Sequence, residues 1–343
     1  MNPLSSNFLI KPKRFEDWVL GVPFDIKLST SDIPYLVAVG GGKGGVGKTF
    51  VAANLAAKLA ALGNEVLLID FDVGGANLHT YFGIGLPKKT LGDLLQKKNV
   101  RFNETIMQTS IKRVRILPGS REDAWHVYSN WTSDLFRDVW HGILNAKAEL
   151  GVNCIVFDLG AGIQRHTIDF FAASHTGMVV VLPEPTSIEN AYMFLKASLW
   201  HHVNNLCLML RMSEQDIQVI KLFLTSESVA AILAKGGYLT RLRLLSEKHP
   251  VLAHKIFRLL QGREVGLLLN QVRCQKDIDV GTSMEHICKN YFGFLTRYCG
   301  FFNYDETAWK SLRNQRLLVN DFPHSMLAKR FNDVAYRICS SQI

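Results

Sequence analysis

No part of the sequence is apolar for long enough to cross a membrane. Every apolar segment is shorter than the length that a membrane-spanning helix needs, which is about 18 consecutive residues. The N-terminus, MNPLSSNFLIKPKRFEDW, interrupts its apolar residues with charges and has no small-residue cleavage site, so it does not resemble a secretory signal peptide. We therefore expect a cytoplasmic protein.

Cysteine is scarce and scattered. The 6 cysteines form no C-x-x-C pair, and the nearest two, Cys288 and Cys299, stand 11 positions apart. This spacing argues against a zinc site, a redox-active pair and an iron–sulfur cluster. In the absence of an export signal, we expect reduced thiols that are mostly buried.

Acidic residues are too few to balance the basic ones. The chain has 39 Lys and Arg against 30 Asp and Glu, which gives a net charge of +9. A basic surplus favours anionic partners, such as a nucleotide, a nucleic acid or an acidic lipid surface, without choosing among them. The same surplus also occurs on proteins whose charge only keeps them soluble.

The chain does have a regular alternation of short apolar runs and longer helical segments. The runs are typical of buried strands and lie at 35–40, 65–72, 114–118, 152–158, 178–183 and 265–272. An Ala- and Leu-rich segment at 49–62 predicts a helix that ends at Gly63. Continuous apolar strands separated by helices predict an α/β fold with a doubly wound, mostly parallel sheet covered on both faces.

One stretch breaks this alternation. The segment between Pro183 and Asn270 is far longer than the about 30 residues that a single β-α-β crossover needs. Its excess, residues 213–263, shows helical periodicity and holds 8 basic and 4 acidic residues. We therefore predict an N-terminal arm (1–34), a main domain (35–212 and 264–343) and an inserted helical subdomain (213–263).

The most specific motif follows the first predicted strand. It matches G-x-x-x-x-G-K-[ST] and consists of Gly42, Lys43, Gly44, Gly45, Val46, Gly47, Lys48 and Thr49. Glycines let successive backbone N–H groups surround phosphate oxygens, and the start of the following helix adds its positive end. We expect Lys48 to neutralise the β- and γ-phosphate oxygens and the Thr49 hydroxyl to bind Mg²⁺. The motif predicts a nucleoside triphosphate site.

Three acidic residues end two of the predicted strands. Asp70 and Asp72 close one strand, and Asp158 closes another. Because the carboxyl ends of parallel strands face the ligand crevice, these side chains should converge on the γ-phosphate. The place of Asp158 after an apolar run predicts a role in holding Mg²⁺, usually through water. An acid at a strand end also occurs simply as the N-cap of the next helix.

Together these residues resemble the MinD/ParA family of ATPases, whose phosphate loop carries an extra lysine at the position of Lys43. The similarity continues through DFDVGGANL (70–78), DLGAGI (158–163), PEPTSIENAY (183–192) and FPHS (322–325). The G-A-G after Asp158 and the P-E-P-T-S run are most similar to the FlhG/FleN branch, which regulates flagellar number and position. The resemblance covers roughly residues 35–205 and 264–338 and implies the P-loop NTPase fold, of the SIMIBI type.

The resemblance implies a role for each residue of the motif. Lys43 would reach the phosphates bound by a partner subunit in an ATP-dependent homodimer, and Asp72 would orient the attacking water. Lys43, Lys48 and Asp72 are thus the expected catalytic residues. Asp70 would help to hold the magnesium shell, and Asn270 would contact adenine. The implied activity is a slow, partner-stimulated hydrolysis of ATP, with ATP and Mg²⁺ as cofactors.

Two departures from the family pattern concern partners. We find no N-terminal Asp-Gln-Ala motif, through which the flagellar relatives engage a partner GTPase. The insertion at 213–263 has no counterpart, and we expect it to dock a protein partner. The last predicted helix has an apolar face that fits either packing on the core or contact with an acidic membrane. This face consists of Leu327, Phe331, Val334, Ala335 and Ile338.

The sequence favours a dimeric ATPase switch that positions or regulates a flagellum, a chemosensory array or a division site. Such a protein would act in the cytoplasm, at the inner face of the membrane or at a cell pole. One alternative is a ParA-like partition ATPase that binds DNA nonspecifically, which the positive charge favours. Two others on the same scaffold are a ligase and a binding module that holds nucleotide without turnover.

Overall fold

The computed structural model describes residues 33–72, 75–96, 100–120, 137–209, 212–225, 237–261, 264–292 and 295–340. Most of the predicted N-terminal arm lies outside these segments. The described strands are β1 (Tyr35–Gly40), β2 (Val66–Phe71), β3 (Met107–Gln108), β4 (Val114–Leu117), β5 (Cys154–Leu159), β6 (Thr176–Val181), β7 (Glu264–Val272) and β8 (Leu295–Asn303). They form one sheet in the order β3-β4-β2-β5-β1-β6-β7-β8.

The predicted α/β fold with a mostly parallel sheet is confirmed. Only β3 runs antiparallel to its neighbour among the described strand pairs. The strands β1, β2, β5 and β6 are buried at every position, as a sheet covered on both faces requires. This burial explains why their sequences are continuous apolar runs.

The described helices cover the sheet and extend its connections. They are α1 (Lys48–Ala61), α2 (Leu91–Leu95), α3 (Arg137–Leu150), α4 (Arg165–Ala172), α5 (Pro185–Met209), α6 (Glu214–Thr225), α7 (Gly237–Lys248), α8 (Pro250–Gln261), α9 (Gln275–Phe292), α10 (Glu306–Arg313), α11 (Leu318–Asp321) and α12 (Met326–Cys339). Short 3-10 turns occur at Leu78–Phe82 and Phe102–Thr105. Among the helices in the described segments, none combines the length and the apolar character that a membrane span would require.

The edge strand β8 was not predicted. The exposed Arg297 and the half-buried Tyr298 lie side by side between the buried Thr296 and Cys299. A strand with a neighbour on one side only tolerates this mixed pattern, which hides it from a search for continuous apolar runs. The missed strand matters for the site, because the segment after β8 lines a cavity beside the glycine-rich loop.

The apolar face of the last helix packs on the core. All five residues of this face are buried, and α12 contacts α1 and β8. The Phe331 ring stacks on Phe302 with ring centroids 4.3 Å apart and meets the edge of Phe50 at 5.7 Å. Of the two alternatives for this face, the structure therefore has core packing, and the face is not available to lie on a membrane.

The described part of the predicted insertion is helical and rests on the main domain. Its helices α6, α7 and α8 contribute Ile220, Tyr238, Leu242 and Ile256 to a core cluster that also contains residues of the sheet. Helix α7 contacts α9, the helix between β7 and β8. The division of the chain into arm, main domain and insertion stays a prediction.

Candidate functional site

The glycine-rich loop joins β1 to α1 and is held at both ends. At its start, a Cβ on Gly42 would collide with the backbone oxygen of Asn190 in α5. At its end, Gly47 has a left-handed φ of 95°, and a Cβ there would collide with the side-chain amide of Asn270. Glycine is required at position 42 because of this close approach, and at position 47 because of both the close approach and the positive φ.

Asn270, at the end of β7, supports this loop. Its Nδ2 donates to the Val46 carbonyl oxygen at 2.8 Å, and its Oδ1 accepts from the Gln271 N–H at 2.9 Å. Gln271 has a φ of 57°, which is strained for a residue with a side chain. The structure therefore gives Asn270 a contact with the loop itself, and the adenine contact expected for it stays a prediction.

Lys48 lies buried below the loop, near two carboxylates. Its ammonium donates to the Lys43 carbonyl oxygen at 3.3 Å. Burial lowers the pKa of Lys48, while the nearby charges of Asp158 and Asp72 oppose that shift. A cation in this place stabilises anions that would otherwise be buried unpaired.

Asp158, at the end of β5, is a buried carboxylate without an adequate partner. Its side chain is 1% exposed, and neither oxygen has a hydrogen-bond partner of good geometry among the described residues. Burial raises the pKa of Asp158, as does the neighbouring Asp70, and the charge of Lys48 opposes this rise only in part. The Thr49 hydroxyl lies close enough to oppose this rise through a weak hydrogen bond. A buried carboxylate of this kind is stabilised when a cation binds to it.

The residues at this point fit a magnesium ion that is shared with a ligand. Asp158 offers unpartnered oxygens, and the Thr49 hydroxyl lies beside it. The described residues contain no cluster of three or more His, Cys, Asp or Glu side chains that could hold a metal by themselves. Mg²⁺ in proteins is typically bound by one or two side chains, with the remaining positions filled by water and phosphate oxygens.

Asp70 lies at the same level of the sheet but has its own partners. Its Cα pairs with that of Asp158 across β2 and β5. One carboxylate oxygen accepts from the Asp72 N–H at 3.0 Å, and the other accepts from the Leu78 N–H at 3.2 Å. Burial raises the pKa of Asp70 to about 7, although these hydrogen bonds oppose the rise. Asp70 thus fixes the segment that carries Asp72, and the magnesium role expected for it stays a prediction.

A cavity of about 750 Å³ extends from the loop to a pair of aromatic side chains. The loop contributes Gly44, Gly45, Gly47, Lys48 and Thr49 to its lining. Tyr304 and Trp309 line it as well, and Trp309 is 59% exposed. Arg273 lies over the Tyr304 ring at 4.4 Å and Arg313 over the Trp309 ring at 5.2 Å, so each ring has a preferred orientation. This aromatic part of the site was not predicted from the sequence, because Tyr304 and Trp309 follow the unpredicted strand β8.

Lys43 points its ammonium to its own chain. The Nζ atom lies 3.6 Å from Glu184 Oε2 and donates to Thr186 Oγ1 at 3.1 Å. Both partners belong to the P-E-P-T-S run, which follows β6 and forms the start of α5. Asp72 and Asn270 line the cavity with the loop, and Asp70 and Asp158 lie in register on the neighbouring strands β2 and β5. The roles expected for these residues stay predictions.

A parallel sheet with a glycine-rich loop between its first strand and first helix, and with acids on the adjacent strand ends, defines the class of P-loop nucleotide-binding proteins. The family model for the CobQ/CobB/MinD/ParA nucleotide binding domain matches residues 37–287. The chain belongs to this family. The resemblance to the MinD/ParA ATPases is thereby confirmed.

An antiactivator and a flagellum site-determining protein are among its relatives. The antiactivator FleN of Pseudomonas aeruginosa is 28% identical over 307 residues, which cover 89% of this chain and 86% of FleN. The flagellum site-determining protein YlxH of Helicobacter pylori is 34% identical over 175 residues, which cover 50% of this chain and 55% of YlxH. The similarity to FleN supports the predicted similarity to the FlhG/FleN branch.

Solved structures show the same fold. The cell division ATPase MinD of Pyrococcus furiosus superimposes with a TM-score of 0.57 at 19% identity, covering 91% of this chain and 100% of MinD. MinD of Pyrococcus horikoshii, complexed with Mg-ADP, gives a TM-score of 0.57 at 19% identity, covering 88% of this chain and 95% of that protein. At this level of identity the likeness establishes the fold.

Proposed function

We propose that this protein is an ATPase switch that binds Mg-ATP, forms a homodimer with ATP and dissociates after hydrolysis. The observation that carries the proposal is the buried Asp158 carboxylate, which lacks an adequate partner next to Thr49 and Lys48. A buried anion of this kind is costly unless a cation compensates it. The glycine-rich loop would bind a triphosphate, and the Mg²⁺ that accompanies the triphosphate would be this cation.

The residues of the loop and the strand ends divide the work. The backbone N–H groups of the loop and the Lys48 ammonium hold the phosphate oxygens. Thr49 and Asp158 would hold Mg²⁺, which neutralises charge on the β- and γ-phosphates. Asp72 lines the cavity, and burial raises the pKa of its carboxylate while Lys48 opposes the shift. It would orient the attacking water, on a backbone that Asp70 fixes.

The base would lie at the aromatic end of the cavity. Trp309 and Tyr304 line the cavity there and are more than half exposed, and an aromatic ring attracts a purine by stacking. Asn270 stays the candidate for a polar contact with adenine. A purine nucleoside triphosphate therefore matches both parts of the cavity.

The regulated object is proposed from the relatives. FleN is named an antiactivator, YlxH a flagellum site-determining protein and MinD a cell division ATPase. We propose that this chain likewise regulates the number or position of a cellular structure, such as a flagellum, from the cytoplasm or the inner face of the membrane. One further solved relative is a MinC:MinD complex of Aquifex aeolicus. A protein partner docked on the insertion at 213–263 is part of the proposal.

Calorimetry and oligomer analysis test the proposal. ATP should bind more tightly with Mg²⁺ than with EDTA, and Lys48→Ala should abolish the binding heat. Asp72→Ala should block phosphate release and accumulate a dimer with ATP but not with ADP. Binding without phosphate release, even with candidate partners, would favour the nucleotide-holding module. ATP-dependent DNA binding that weakens steeply with salt would favour the ParA-like alternative.

A further inference from the structure

The two lysines of the loop differ in their surroundings. Lys48 is buried among acidic groups, whereas the side chain of Lys43 is 39% exposed. The Lys43 ammonium nevertheless has two partners, Glu184 at 3.6 Å and the Thr186 hydroxyl at 3.1 Å. Glu184 directly precedes α5, and Thr186 lies in the first turn of this helix. The ammonium is therefore attached to the start of α5.

The backbone around Lys43 combines a fixed side with an open side. Gly42 packs against the backbone of Asn190, one turn further along α5. Gly44 and Gly45 have open space where a side chain would be. The carbonyl of Lys43 itself accepts from the Lys48 ammonium at 3.3 Å. A phosphate that recruits Lys48 would remove this bond, and the Lys43 backbone would then be held mainly from the side of Gly42.

We propose that Glu184 and Thr186 form a resting site that holds the Lys43 ammonium on its own chain until a nucleotide phosphate attracts it. The inference rests on the proposed function, since it concerns how Lys43 becomes available to a triphosphate. Glu184 and Thr186 are positioning residues in this scheme, because they act through Lys43. The resting site also connects the loop to the start of α5, so release of Lys43 removes one of the contacts between them.

The strength of the contact suits a switch. Both side chains of the Lys43–Glu184 pair are substantially exposed, at 39% and 55%. Exposed ion pairs of this kind contribute little, so the resting site should bias the position of Lys43 by about two- to fivefold. A triphosphate carries several negative charges and lies in a less exposed cavity, where attraction is stronger. The bias is therefore large enough to measure and small enough for ATP to overcome.

Amine labelling of the nucleotide-free protein tests the resting site directly. Acetylation of Lys43, followed by mass spectrometry, should be about two- to fivefold faster in Glu184→Gln than in the wild type. Thr186→Val should give a smaller increase in the same direction. Glu189→Gln is the matched control, since Glu189 is an exposed acid on the same helix, and it should leave the rate unchanged. Equal Lys43 labelling in Glu184→Gln and wild type would overturn the proposal.

Dimerisation with ATP tests the consequence. Glu184→Gln should lower the protein concentration that gives half dimer by at least about twofold, because Lys43 no longer has to leave a partner. A weaker dimer in Glu184→Gln would also overturn the proposal, since Glu184 would then stabilise the dimer. If no variant dimerises with ATP but Lys43 labelling still responds to Glu184→Gln, the resting site stands and the proposed dimer switch fails.

Discussion

Replacing Asp158 with asparagine separates a metal-binding carboxylate from a structural one. Asp158 is buried without an adequate partner, so without Mg²⁺ its charge is expected to destabilise the folded protein. Asp158→Asn removes the charge and keeps the shape. Asp70→Asn is the matched comparison, because the two residues pair across neighbouring strands and Asp70 accepts hydrogen bonds from Asp72 and Leu78.

The expected magnitudes have opposite signs. A buried polar group without a partner costs about 1–3 kcal/mol, and Asp158→Asn removes this cost for the carboxylate. Part of the gain is offset because the new amide also needs partners. In EDTA the substitution should therefore raise the free energy of unfolding by about 0.5–2 kcal/mol. Mg-ADP at a hundred times its Kd should stabilise the wild type by about 2.7 kcal/mol. The variant should lose the magnesium-dependent part of that gain. Asp70→Asn should cost about 1.5–3 kcal/mol in both conditions, because a backbone N–H loses its charged acceptor.

Urea titration with EDTA and with Mg-ADP measures both quantities. The stability order of wild type and Asp158→Asn should reverse between the two conditions, whereas Asp70→Asn should be the less stable protein in both. Glu306→Gln removes an exposed charge from the same cavity and should change the free energy by about 0.5 kcal/mol or less. The reasoning is refuted if Asp158→Asn is less stable than wild type in EDTA, or if it keeps the full gain from Mg-ADP.

Trp309→Ala should raise the Kd for ATP and ADP about 5- to 150-fold, since base–aromatic stacking is worth about 1–3 kcal/mol. Calorimetry should show a smaller rise for Trp309→Phe and no change for inorganic tripolyphosphate; equal losses for all three ligands would contradict a base contact. Phe331→Ala should lower the free energy of unfolding in urea by about 3–5 kcal/mol, because its ring is 0% exposed. Tyr336→Ala, on the exposed side of the same helix, should cost far less, and similar costs would argue against core packing. Burial lowers the pKa of His166 to about 4, against about 6.5 when unfolded, so the unfolded chain binds more protons at this group and the contribution of His166 to stability should fall by about 2 kcal/mol from pH 7.5 to 5. Asp70, whose pKa is raised to about 7, changes stability in the opposite direction, so this loss is measured as the difference between wild type and His166→Gln. His166→Gln should remove this loss and His324→Gln, at an exposed position, should retain it; unchanged pH dependence in both would refute the assignment.

Much of the fold was predictable because its central strands are buried on both faces. Such strands need continuous apolar runs, and the four at the centre of the sheet have them. The loop motif placed the nucleotide site at the end of β1. The edge strand β8 was not predicted because polar residues, among them Thr296 and Arg297, interrupt its apolar ones. The aromatic part of the cavity was therefore not predicted either. Tyr304 and Trp309 follow β8 in the chain, and they lie near the loop because β8 is part of the sheet.

The two acids at the strand ends show why a sequence motif alone does not predict the role of each residue. Asp70 and Asp158 end neighbouring apolar strands, pair in register and are both buried. Their sequence patterns therefore predict the same role. What separates them is the chain that follows: after β2 the backbone turns back, so that the N–H groups of Asp72 and Leu78 meet Asp70. The described backbone after β5 brings no such donor to Asp158. A carboxylate that accepts hydrogen bonds from backbone N–H groups shapes the site, whereas one without such donors is available to a cation. The two acids therefore differ in the donors around them and not in residue type.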